Sequence, residues 1–103
     1  MSQKNLMPKV GFDFETLTVG NSVASLTASK YHPSGDKADS AFLTLEGADI
    51  RYRYDGGNPT TSAGHLLSDS GYIVLTGQNQ MEKFKAIRVG GRDGTLSITY
   101  ERV

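Results

Sequence analysis

Thr95-Leu96-Ser97-Ile98-Thr99-Tyr100-Glu101 alternates polar and apolar residues without a break. A period of two puts Leu96, Ile98 and Tyr100 on one face of an extended strand, and Ser97, Thr99 and the Glu101 carboxylate on the other. Ile50-Arg51-Tyr52-Arg53-Tyr54-Asp55 repeats the scheme, with Tyr52 and Tyr54 inward and Arg51 and Arg53 outward. One buried face and one wet face are what an antiparallel sheet packed on a single core requires.

Shorter runs extend the pattern outward from these two. Residues 17–19, 23–28, 41–45, 72–75 and 85–89 are strand candidates bounded mostly by Gly, Ser, Asp or Asn. Together they make about seven strands, a number suited to a sandwich or small barrel. The expected fold is therefore all-β, an antiparallel β-sandwich of jelly-roll-like form. Gly90-Gly91-Arg92-Asp93-Gly94 carries an Asp-Gly step, which predicts a hairpin between antiparallel neighbours. Residues 78–84 contain Gln80-Met81-Glu82-Lys83 and predict one helical turn crossing an end of the sheets. Residues 30–40 and 56–63 are rich in Gly, Pro, Ser, Asp and Thr and read as loops.

A chain of 103 residues matches one domain and leaves no room for a second core. Residues 16–103 are expected to form that domain and residues 1–15 an N-terminal arm or tail. Residues 1–14 hold no apolar run long enough for a signal-peptide core or a membrane span, so neither a cleaved export signal nor membrane insertion is expected. Eleven Lys plus Arg balance eleven Asp plus Glu, which removes the electrostatic footprint of a nucleic-acid binder. The absence of cysteine excludes disulfides and thiolate metal sites and fits folding in a reducing cytoplasm.

The sequence offers no constellation for catalysis, so no enzymatic activity, cofactor or resident metal is expected. His32 and His65 are the two histidines, and neither falls in a zinc-binding spacing. A base at His65 would need Asp55 and a nearby serine in a geometry that no local spacing implies. The acidic loop residues match no EF-hand, and the Gly-Gly pairs match no nucleotide-binding loop.

What remains is a candidate interaction surface comprising Arg51, Arg53, Asp55, Pro59, His65 and Arg88. Guanidinium groups suit paired recognition of carboxylates on an acidic partner or a neighbouring subunit. Asp55 leads into the Gly56-Gly57 turn, and Pro59 stiffens the loop beyond it.

Arg51-Tyr52-Arg53-Tyr54-Asp55-Gly56, Asn58-Pro59-Thr60, Gly64-His65-Leu66-Leu67, Phe84-Lys85-Ala86-Ile87-Arg88 and Leu96-Ser97-Ile98-Thr99-Tyr100 form an arrangement that resembles small virion proteins of tailed bacteriophages. The resemblance spans about residues 42–100. It implies a structural role in the particle, as a capsid decoration, neck or tail component, with no catalytic residues. It also implies that the chain is made in the host cytoplasm and ends in the virion, with copies of itself and other capsid, neck or tail proteins as partners. A homo-oligomer, a trimer or higher, is expected, because a small sandwich leaves sheet edges to protect or use and the neutral charge gives little long-range repulsion. The reading from another class is a carbohydrate- or receptor-binding β-sandwich module. It requires exposed aromatic rings, for which Tyr31 and Tyr72 are the sequence's candidates.

Overall fold

The structure is a computed structural model that describes residues 8–35 and 37–103. The described residues form eight strands and two short helices: β1 (Val10–Val19), β2 (Ala24–Ser25), α1 (Ala28–Tyr31), β3 (Ser40–Glu46), β4 (Ile50–Arg53), β5 (His65–Leu67), β6 (Tyr72–Thr76), α2 (Gln78–Lys83), β7 (Lys85–Arg88) and β8 (Gly94–Arg102). The strands make two four-stranded sheets, β1-β8-β3-β6 and β2-β7-β4-β5. Every pairing is antiparallel and nested: β1 with β8, β2 with β7, β3 with β6 and β4 with β5. The chain is thus a long hairpin rolled on itself until β8 also meets β3 and β7 meets β4. This is the jelly-roll form of the β-sandwich.

The core lies between the sheets and follows the alternation. Leu96, Ile98 and Tyr100 are fully buried, as are Leu43, Ile50 and Ala86 from β3, β4 and β7. Each buried Leu or Ile contributes roughly 1.5–3 kcal/mol. Met81 and Phe84, in and just after α2, fill one end. At another place in the core the Tyr31 ring lies 6.4 Å from that of Tyr100. Gln78 donates to the carbonyls of Tyr31 and Ala38, tying α2 to the segment after α1.

Several expectations change. The first strand begins at Val10, inside the stretch expected as an arm, whose residues 1–7 lie outside the described residues. Its apolar pattern is inverted by a bulge between Gly11 and Asp13. Phe12 packs against the core and Phe14 faces solvent, while Glu15 pairs beside buried Ile98. The strand expected over 23–28 shrinks to Ala24–Ser25. Thr27 donates its backbone N–H and its hydroxyl to the Glu15 carboxylate, and Ala28 begins α1. An eighth strand, β5, appears where a loop end was expected.

Residues 90–94 do not close a hairpin between neighbours. Both edges of β8 are occupied by β1 and β3, and β7 belongs to the other sheet, so this link crosses between layers. An Arg88–Asp93 ion pair of 2.6 Å spans it. The nested pairing explains why: only the β4–β5 connection stays within one sheet.

The Tyr100 hydroxyl donates to Glu15 Oε2 at 2.5 Å. Burial, reinforced by the Glu15 carboxylate, pushes this phenol far above the ordinary tyrosine range. Since the neutral phenol is the folded form, the associated stability is present below about pH 10 and is lost as pH climbs above it. Truncating Glu15 to Ala strands a buried donor and is expected to cost about 1–3 kcal/mol, whereas Tyr100→Phe, which removes the donor itself, costs about 1 kcal/mol. Urea denaturation of the two variants checks the order, and a Tyr100→Phe loss larger than that of Glu15→Ala would refute the assigned direction of dependence.

Candidate functional site at the tip of the roll

The β4–β5 connection, residues 54–64, is the tip of the rolled hairpin, and most of the expected interaction residues meet there. The two strands pair through Ile50 with Leu67, Arg51 with Leu66 and Tyr52 with His65. Arg51 and Arg53 share the face of β4 opposite Ile50 and Tyr52. Their guanidiniums turn back onto their own loop. Arg51 donates from Nε to the Thr61 carbonyl at 3.1 Å and from Nη1 to the Gly64 carbonyl at 3.0 Å.

Arg53 grips the other half of the loop. Its Nε and Nη2 donate to the two oxygens of Asp55 at 3.0 and 2.6 Å, a bidentate pair, and its Nη1 donates to the Asn58 carbonyl at 3.4 Å. The Asp55 carboxylate also accepts the Gly57 backbone N–H. Pro59 is fully buried beneath the loop. Gly64 closes it at φ +128°, and a side chain there would press on the Tyr52 carbonyl and the Pro59 ring. The loop is long, yet it is fastened from both of its arms.

Beside it lies an aromatic cluster. Tyr52 is half-buried with its ring 5.7 Å from Phe84. Tyr54, expected in the core, is 42% exposed. It sits one residue past the end of β4, beyond the last rung that would hold it inward. Its ring instead stacks on Tyr52 and His65 at centroid separations of 6.4 and 5.9 Å. Arg53, Tyr54, Asp55 and His65 line a cleft of about 290 Å³.

Arg88 is not part of this cluster. It pairs with Ile50, whereas Arg53 pairs with Lys85, so three residues, roughly 10 Å of strand, separate the two arginines. Pro59, being buried, serves the loop from within. Among the described residues no three His, Asp or Glu side chains gather as a metal site, and no helix is long and apolar enough to cross a membrane.

A second feature was not legible as a site. On the outer face of the β1-β8-β3-β6 sheet, Phe14, Thr99, Phe42 and Val74 stand in one row across all four strands, and Thr16, Ser97, Thr44 and Tyr72 stand in the next. Phe14, Phe42, Val74 and Tyr72 are 53%, 40%, 52% and 64% exposed. The Phe42 and Tyr72 rings lie 5.7 Å apart. Neither row contains a charge. Tyr72 is thus exposed, whereas Tyr31, the other tyrosine singled out from the sequence, is buried.

The chain matches no known family model, no curated protein and no solved structure.

The bidentate partner Arg53, and after it the Gly57 N–H, hold the Asp55 carboxyl down at about 2. The ionised pair therefore persists above the ordinary aspartate value of ~3.9 and dissolves only as pH falls through about 2. Arg53→Ala is expected to return Asp55 most of the way to ~3.9, and carboxyl-carbon NMR titration reads the change directly. An unmoved midpoint would show that the arginine does not set it.

Proposed function

We propose that this chain is a non-catalytic building block of a bacteriophage particle, a capsid decoration, neck or tail component, which associates with copies of itself through the outer face of the β1-β8-β3-β6 sheet. The observation that carries the association is the pair of uncharged rows holding Phe14, Phe42, Val74 and Tyr72. Outward-facing positions of a solvated antiparallel sheet ordinarily carry polar groups, and clustered apolar surface marks a contact site. The virion setting is supported by the resemblance described above and by an architecture that viral capsid and lectin domains share.

Charge and area favour a second copy as the occupant. The protein has zero formal net charge, and the two rows present no like charges to oppose self-contact. Strand spacing and rise make these rows and their flanks roughly 400 Å² in plan, so two copies cover on the order of 800–1,000 Å² when packed face to face, the lower end of specific interfaces. Such packing closes a two-fold dimer. The outer edges of β1 and β6 offer the additional contact that a trimer or larger ring needs.

Sedimentation at roughly 100 μM, above the dissociation constants of weak specific interfaces, is expected to show an oligomer. Phe42→Asp should shift it to the 11.1 kDa monomer with an unchanged circular dichroism spectrum. Peptides of this chain are also expected in purified particles, with density assignable to it. A strictly monomeric wild type that buries less than about 800 Å² in the particle would defeat the reading.

A further inference from the structure

We propose that the cleft beside the β4–β5 loop binds one neutral sugar ring. The apolar face of the ring would rest on the Tyr54 and His65 rings, and its hydroxyl groups would meet the Arg53–Asp55 pair. This site is independent of the assembly face, which belongs to the other sheet.

The choice of ligand follows from what lines the cleft. The exposed rings of Tyr54 and His65, inclined by 26° with centroids 5.9 Å apart, offer apolar surface to a flat ligand with an apolar face. The charges lining the wall cancel: Arg53 and Asp55 are joined by two hydrogen bonds. A charged ligand meets a wall of zero net charge, whereas a hydroxylated ring needs only the donors and acceptors that the pair leaves free. Arg53 has five N–H donors and uses three, toward Asp55 and the Asn58 carbonyl. The two that remain, with the spare lone pairs of Asp55, suit adjacent hydroxyls that both donate and accept. The Tyr54 hydroxyl and the His65 ring nitrogens hydrogen-bond to none of the described residues and are available as well.

Size and rigidity point the same way. A volume of about 290 Å³ lies just below the ~300–1,000 Å³ range of small-molecule pockets, which limits the site to a single ring. The loop is already fastened by Arg51, Arg53 and the Asp55–Gly57 contact, so little ordering cost attends binding. The source of the ring is either a free sugar or the end of a surface polysaccharide, and both offer the same face and hydroxyls.

Amide-detected NMR titration of the full chain with glucose, galactose, mannose and N-acetylglucosamine provides the test. At least one is expected to shift the resonances of residues 53–57 and 64–66, with a dissociation constant on the order of millimolar. Tyr54→Ala should weaken that sugar about tenfold, while Tyr54→Phe, which keeps the ring, stays within about twofold. Tyr54 is exposed and lies beyond β4, so neither variant disturbs the core, and Phe42→Asp should bind like the wild type. An oligosaccharide ending in the responding sugar that binds about tenfold more tightly marks a polysaccharide, and equal affinity marks a free sugar. The proposal is overturned if none of the four sugars shifts these residues at roughly 50 mM, far above a millimolar constant. It is also overturned if Tyr54→Ala binds unchanged, or if only charged probes such as glucuronate or glucosamine respond.

Discussion

Leu96, Ile98 and Tyr100 are buried on a strand hydrogen-bonded along both of its edges. β8 therefore cannot slip by one residue without carrying all three side chains from the core to the solvent face. Fixing β8 fixes β1 and β3 beside it, and β3 in turn places β6. The second sheet follows from the same nesting, because each inner pair of strands lies closer in sequence than the pair outside it. Closure of the roll leaves the β4–β5 connection as its tip.

A polar interaction centred on Glu15 lies inside this apolar frame. Glu15 occupies an inward position on β1 and gathers three donors, the Tyr100 hydroxyl and the N–H and hydroxyl of Thr27. A carboxylate at such a place is costly unless its hydrogen bonds are made. Here they also do topological work, by drawing the chain off β2 toward α1. Among the described residues no buried side-chain polar atom is left without a partner.

The sequence was legible where alternation was uninterrupted. β8 read correctly because every second residue is apolar and its neighbours are polar, and β3 was found as a strand although Phe42 breaks its alternation. β1 did not, because the bulge reverses its parity, turning Phe14 outward and Glu15 inward, so an apolar count over residues 10–19 finds no single face. β5 is three residues long, shorter than the runs from which a period can be read. The Asp-Gly step at residues 93–94 pointed to a hairpin turn, yet the chain bends at residues 89–92 and Gly94 already opens β8, and which strands this link joins is set by the roll. Arg51, Arg53, Asp55 and His65 were singled out by type and spacing, and the structure brings them together around the β4–β5 connection. Tyr54 was misplaced inward, because alternation has no means of marking the residue at which a ladder stops.

The same arginines show why residue type alone misassigns roles. A guanidinium on the outer face of a strand reads as a hand extended to an acidic partner, yet Arg51 gives two of its donors to the carbonyls of Thr61 and Gly64, and Arg53 gives three to Asp55 and Asn58. An acidic partner would find Arg53 already neutralised by Asp55 and both arginines held in place by their own loop. What these residues supply is a fixed wall and a rigid loop, beside which the rings of Tyr54 and His65 stand exposed. Because those rings belong to one sheet and the Phe14–Phe42–Val74 row to the outside of the other, contact through the row leaves the tip uncovered. The proposed assembly and the proposed ligand site therefore draw on separate side chains and are compatible in one small domain.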